Sequence, residues 1–190
     1  MKKIRMIIFG TAAVVMLSGC SLMQKPEYSL PSFYDLSAQK AAPLVSAPAE
    51  FRSFADVTGN GMEIVSRIGG GKVSKDDLNR FTAPPVQLIR RRLIELFPPA
   101  SSQTSLKVNG ILSRFEIDSE NGTAVMALDY MLNCDGCSRA LRHRIRLPLK
   151  GNSGESYAEA LESCVITSAR RLAGEISVFA KECERKREKK

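Results

Sequence analysis

The chain has 190 residues, 44% hydrophobic and 25% charged, an ordinary globular composition that excludes a disordered polymer. Its first 19 residues read as a removable leader, so the mature length of 171 suits one domain around one core. The formal charge of +8 falls to +5 without Lys2, Lys3 and Arg5 of the leader, and the tail after Ala180 carries six Lys/Arg against three Glu, so the folded region is near balance; with no zinc-finger spacing and no RNP-type aromatic motif, no nucleic-acid partner is expected.

Lys2, Lys3 and Arg5 form a positive start, Ile7 to Leu17 a short apolar run, and Leu17-Ser18-Gly19-Cys20 a cleavage site of the bacterial lipobox type. The run is too short to span a bilayer comfortably, and no other segment is apolar enough to suggest a multi-span membrane protein. Cys20 is therefore the expected lipidation site. Two or three acyl chains there, at about 0.8 kcal/mol per buried CH₂, make a durable anchor where one would not. Ser21, where an Asp would favour retention in the inner membrane, points to the periplasmic face of the outer membrane of a Gram-negative bacterium. The expected layout is a signal peptide over 1–19, a polar tether over 20–27, a single domain over 28–181 and a charged, frayed tail over 182–190.

Tyr28 to Leu36 suits a first strand, with Pro31 near its start. The Ala/Pro/Ser-rich stretch from Ala38 to Glu50 reads as a loop. Phe51 to Val57 and Met62 to Ile68 read as the next strands, separated by Gly59-Asn60-Gly61. Gly69-Gly70-Gly71-Lys72 lacks both the leading glycine and the Ser/Thr of a phosphate loop, and reads as a flexible loop. Thr82 or Ala83 can cap a helix that opens on Pro84-Pro85 and carries the stripe Val86, Ile89, Leu93 and Leu96/Phe97. Arg90, Arg91 and Arg92 fan across more than one face, and a solvated helix back is preferred to an acidic-partner site.

Leu106 to Ile117 has apolar residues of both parities, which predicts a strand covered on both sides. Asn121-Gly122 turns the chain into Thr123 to Asn133 and Ser138 to Leu147. Asp135-Gly136 fits a two-residue hairpin loop, which pairs Cys134 with Cys137. Counting outward, Tyr130 faces Leu141, Leu128 faces His143, Met126 faces Ile145 and Ala124 faces Leu147. The other face pairs Asp129 with Arg142, Ala127 with Arg144 and Val125 with Arg146. A slip of one residue destroys both patterns. His143, the only histidine, reads as a packed residue and not a catalytic base. Arg142, Arg144 and Arg146 form the best basic patch, either a solvated sheet face or a docking surface for acidic protein or lipid head groups. Ser156-Tyr157-Ala158-Glu159 fits a capping box ahead of a helix with the stripe Tyr157, Leu161, Cys164/Val165, Ala169, Leu172, Ile176 and Phe179. The expected fold class is α/β or α+β, with a mixed, largely antiparallel sheet of five or six strands and two amphipathic helices. No cofactor or metal set is legible, and the chain is not expected to be an enzyme.

Cys164 and Cys183 stand 19 residues apart on the final helix, roughly 28 Å, so they cannot join. Cys134–Cys137 is the one local bridge to expect, strained because it spans a hydrogen-bonded pair. Cys164 is expected to be buried and Cys183 exposed. A thiol oxidoreductase built on Cys134-Asp135-Gly136-Cys137 is disfavoured, because a redox CxxC ordinarily opens a helix.

Several of these motifs together resemble the ABC-type transport auxiliary lipoprotein component family of Gram-negative bacteria. They are the lipobox at Cys20, Ser32-Phe33-Tyr34-Asp35-Leu36, Ile64-Val65-Ser66-Arg67, Asp76-Asp77-Leu78-Asn79-Arg80-Phe81 with the helix behind it, and Arg114-Phe115-Glu116. Arg67, Asp77, Arg80 and Phe81 stand at family-motif positions, Phe81 where members usually carry Trp. The resemblance implies a domain similar to the N-terminal domain of TolB and a non-enzymatic, lipid-anchored component of mammalian-cell-entry-type lipid transport. Its partners would be the outer-membrane bilayer and the transporter's own components, with homo-oligomerisation open. An outer-membrane assembly lipoprotein, docking on a barrel or a peptidoglycan complex, is the alternative.

Overall fold

Among the described residues, seven strands and two helices are laid down in the order β1 (Ser32–Tyr34), β2 (Glu50–Asp56), β3 (Glu63–Ile68), β4 (Lys72–Phe81), α1 (Pro85–Leu96), β5 (Lys107–Asp118), β6 (Thr123–Cys134), β7 (Cys137–Pro148) and α2 (Gly154–Arg187). The computed structural model describes residues 29–37, 39–101 and 106–188, and all the elements fall in the unit Pro31–Lys190. Lys2 to Glu27, including Cys20 and Ser21, lie outside the described residues. The strands form one mixed sheet in the order β1-β4-β3-β5-β6-β7, with β2 also pairing β5. β1 pairs β4, and β2 and β3 pair β5, in parallel; β3–β4, β5–β6 and β6–β7 are antiparallel. The fold class is α+β, as expected, with seven strands in place of five or six.

The added strand is β4. Its sequence is mostly polar and only Phe81 is buried, so it carries no apolar alternation to betray it. The glycine triplet is a one-turn 3₁₀ connection between β3 and β4, closed at Gly71 with φ of +80°. The first helix also starts differently from expectation. Pro84 takes the N-cap position without a side-chain cap, and Pro85 sits where the missing N–H costs nothing. Thr82 instead donates its N–H to the Tyr34 carbonyl, 2.9 Å away, at the end of β1.

The mixed parity of β5 has a different cause from the one expected. Val108, Gly110 and Leu112 face the core, then the register shifts between Leu112 and Arg114, and Phe115 and Ile117 take over. One extra residue, Ser113, moves the apolar set from even to odd numbers while keeping it on one face. Ile111, on the other face, is 49% exposed, so β5 is not covered on both sides. The β6–β7 hairpin follows the predicted register at every pair from Ala124–Leu147 to Cys134–Cys137. Asp135 and Gly136 have φ of 47° and 79°, as a type I′ turn requires.

Both helices pack on the same side. α1 lies against β2, and α2 runs across β6 and β7. One core cluster joins Ile89, Leu93, Leu112, Met126, Leu128, Leu161 and Leu172. α2 begins two residues before the expected capping box: Ser153 is the cap and accepts from the Ser156 N–H at 3.2 Å. It then continues for 34 residues through the segment read as a frayed tail. Among the described residues no helix is long and apolar enough to cross a membrane.

The three consecutive arginines of α1 are not a solvated back. Arg90 donates to the Phe51 and Arg52 carbonyls of β2 at 2.8–3.1 Å. Arg91 pairs with Asp35 at 2.5 Å. Burial would raise the Asp35 pKa, but the Arg91 guanidinium outweighs it and holds the carboxyl below its ordinary range. Arg92 turns inward and meets Glu162 of α2 at 3.1 Å, both side chains nearly inaccessible. Helical spacing sends three adjacent residues in three directions, and each finds a different element of the fold.

Candidate functional site

The sheet face opposite the helices is where the predicted site residues gather. Alternation along the strands places Arg114, Glu116 and Asp118 of β5, Val125, Ala127 and Asp129 of β6, and Arg142, Arg144 and Arg146 of β7 on this face. Val65, Val125 and Ala127 are buried here, yet they stand outside the core cluster. They form an apolar floor on which charged side chains lie. Between β5 and β7 the floor dips into a depression of about 570 Å³ beside Ser113, Arg114, Arg144 and Arg146. Ser113, the extra residue of the bulge, lines it.

The charges interlock. Glu116 accepts from Arg67 of β3 at 2.8 and 3.0 Å, and from Arg114 at 2.5 Å. Burial alone would raise the Glu116 pKa. The two arginines outweigh it, and the carboxyl titrates below its ordinary range. Asp118 is held below its ordinary range first by a hydrogen bond from Asn121, with Arg146 3.9 Å away adding to it. Asp129 stands opposite Arg142 in register, but its carboxylate goes to the neighbouring Arg144 at 2.6 Å. Arg142 takes no acidic partner among the described residues. Five arginines thus share the face with three carboxylates, and the surplus is positive and lies toward the β7 edge. Of these pairs Asp129–Arg144 is exposed on both sides and contributes little stability, so a partner's carboxylate can exchange into it at low cost, and Arg142 beside it is open to one.

The family-motif positions do not form one site. Arg67 belongs to this face through Glu116. Phe81 is in the core, its ring 5.7 Å from that of Phe115. Asp77 and Arg80 make a loose surface pair at 3.7 Å in an irregular part of β4. Asp76 organises that irregularity by accepting the N–H groups of Leu78 and Asn79, each at 3.0 Å. Asn79 in turn accepts from the Tyr34 hydroxyl at 3.0 Å. The motif therefore shapes the junction of β1 and β4.

His143 is buried, as expected of a packed residue. Its Nδ1 lies 2.7 Å from Ser168 Oγ, which is also 3.0 Å from the Tyr130 hydroxyl. Burial, with Arg171 next in size, pushes the His143 pKa down, and burial pushes that of Tyr130 up. This buried chain satisfies three polar groups between sheet and helix. Ser168 and its hydrogen bond to His143 were missed in the sequence. The cue was a Ser at a core position of the α2 stripe.

Cys134 and Cys137 face each other at the hairpin tip as thiols, with no bridge between them. Directly opposite residues of a hydrogen-bonded pair hold their Cβ atoms near 5.5 Å, wider than the roughly 3.8 Å a disulfide prefers. The CxxC stands on a strand–turn–strand and opens no helix. Cys164 is buried, as expected, and burial raises its pKa to about 12. Cys183 departs from expectation. It is only 3% exposed, because α2 continues past it and lays it against the hairpin tip.

No family model and no curated protein matches the chain. Solved structures do share its fold. A crystal structure described as an uncharacterized protein superposes with a TM-score of 0.66 at 16% identity, covering 78% of this chain and 99% of that one. The Xanthomonas campestris protein XCC0632, described as a member of the family DUF330, gives a TM-score of 0.67 at 13% identity, covering 81% and 99%. At such identities the likeness establishes the fold alone.

Proposed function

We propose that the chain is a lipid-anchored periplasmic component of an ABC-type, mammalian-cell-entry-linked lipid transport system. It acts by docking and scaffolding, without turnover of its own. The lipobox at Leu17-Ser18-Gly19-Cys20 supports the anchor, and the family resemblance supports the transport context. The observation that carries the docking role is the asymmetry of the sheet. Two helices seal one face, while the other presents an apolar floor under a surplus of arginine. That combination suits an acidic protein surface, because apolar area supplies affinity and the arginines supply orientation.

The test is affinity purification of the tagged chain from detergent-solubilised membranes of its native host. Recovery of a mammalian-cell-entry-type protein with its ABC permease is the expected result. Recovery of a barrel-assembly or peptidoglycan complex in their place would transfer the docking role to that alternative. Cys20→Ala should block lipid labelling and leave precursor uncleaved; a mature, soluble product from that variant would remove the anchor from the account.

A further inference from the structure

The hairpin tip and the end of α2 bring together three sulfurs, two neighbours in the turn and one from far along the sequence. Cys134 and Cys137 flank the Asp135-Gly136 turn. Cys183 reaches them from 49 residues beyond Cys134, with its thiol 3.9 Å from the Cys134 carbonyl. Three residues further along α2, Lys186 brings its ammonium to 3.6 Å from the Cys137 sulfur, so the same stretch of helix meets both hairpin cysteines. The meeting is held by contacts that do not involve sulfur. Arg187 pairs with Asp135, Arg139 pairs with Glu182 at 2.6 Å, and the Arg139 guanidinium lies 5.4 Å from the centre of the Phe179 ring. Cys183 thus sits inside a clamp that fixes the last turns of α2 on the turn of the hairpin.

We propose that this cluster is an oxidative cross-linking site, in which Cys183 bonds to Cys137 and staples α2 to the β6–β7 hairpin. Exposure decides the order of events. Cys134 and Cys183 are buried, whereas Cys137 is half-buried; a depression of about 580 Å³ at the hairpin tip is lined by Cys134 and Cys137 but not by Cys183. The Lys186 ammonium lies 3.6 Å from the Cys137 sulfur. Cys137 is therefore the sulfur that meets a soluble oxidant. Its thiolate attacks a low-molecular-weight disulfide, forms a mixed disulfide and releases one thiol. The Cys183 sulfur then displaces the second thiol. Two protein thiols lose two protons and two electrons, and the oxidant is reduced to two thiols. Cys134 is the poorer resolving group, because it stands opposite Cys137 in a hydrogen-bonded pair with Cβ atoms too far apart. Burial raises the Cys183 pKa to about 12, so its attack is the slow step. The bond would close a loop of 47 residues, against four for a Cys134–Cys137 bridge, and the longer loop removes more freedom from the unfolded chain.

Mass spectrometry of the purified full chain tests this. The chain is incubated natively with oxidised and reduced glutathione, alkylated and digested with trypsin. Cys134 and Cys137 fall in the peptide Phe115–Arg139, and Cys183 in Glu182–Arg185. The expected product is these two peptides joined, retained in Cys134→Ser and lost in Cys137→Ser and in Cys183→Ala. Oxidation should raise Tm by roughly 6–12 °C in the wild type. Because Cys183→Ala alters a packed position, alkylation of the reduced wild type supplies a second reading: Cys137 should react at least tenfold faster than Cys183. An oxidised Phe115–Arg139 peptide alone, a cross-link that persists in Cys137→Ser, or rapid alkylation of Cys183 would each overturn the proposal.

Discussion

Replacing Glu162 with alanine should destabilise the domain by about 3 kcal/mol, through the Arg92 it leaves behind. Glu162 is 1% exposed and joins three elements. It meets Arg92 of α1 at 3.1 Å and accepts the Gln39 N–H at 3.1–3.2 Å, so the segment before β2 is tied to both helices. Removing one member of a buried pair typically costs about 3–5 kcal/mol, because a charge stays in a poorly solvated site. Arg92 keeps a second partner, Glu95, at 3.1 Å, and Glu95 is half-exposed, so the lower end of that range applies. The orphaned Gln39 N–H adds to the loss. In a domain of this size the Tm should fall by roughly 6–12 °C. Urea denaturation of wild type, Glu162→Ala, Arg92→Leu and the Arg92→Leu/Glu162→Leu pair forms the test. The double variant should be less destabilised than Glu162→Ala, since no buried charge remains in it. A Glu162→Ala protein within 1 kcal/mol of wild type would refute the buried-charge reasoning.

Gly110 faces the Phe54 ring so closely that an added Cβ would stand 2.6 Å from it; Gly110→Ala should cost roughly 1–3 kcal/mol, partly recovered by Phe54→Leu, in the same urea assay. His143 titrates below its ordinary value in the folded state, so the unfolded chain takes up the proton first and stability should fall as pH drops below about 6.5. His143→Gln should flatten that slope in thermal melts between pH 7 and 5. The carboxyls of Asp35, Glu116 and Asp118 are shifted down, so their contribution should be lost at lower pH, below about 4, and Glu116→Gln should remove part of that acid limb. Charge reversal of Arg142, Arg144 and Arg146 together should abolish partner recovery, and the neutral triple Gln variant, which sets no like charge beside Asp118 or Asp129, should weaken recovery while leaving Tm nearly unchanged; unchanged recovery in both would remove the face from the account.

The hairpin was legible in the sequence because three signals agreed. Asp135-Gly136 fixed the turn, and one-sided apolar and charged patterns fixed the register. The two helical stripes were legible for the same reason, each having a single buried face. β5 misled because a bulge and a doubly covered strand produce the same mixed parity, and only the exposed Ile111 separates them. β4 was silent because backbone pairing to β3 and β1 holds it with one buried side chain, and polar sequences carry no trace of such pairing. The arginine face was legible as a patch. Its carboxylate partners were not, since Arg67 and Glu116 are brought together from distant strands. Cys183 was misjudged because charge-rich sequence suggested fraying, whereas the ion pairs of Glu182 and Arg187 with the hairpin use that charge to hold the helix end.

The most direct measurement of the docking account is photo-cross-linking in cells, with a photoreactive amino acid at Ala140 or at Arg170. Both positions are exposed. Ala140 lies on the arginine face of β7, and Arg170 on the solvent side of α2. The account predicts an adduct with a mammalian-cell-entry-type or permease component from Ala140 and none from Arg170. Adducts from Arg170 alone, or none from Ala140 in membranes that still yield the partner, would contradict it.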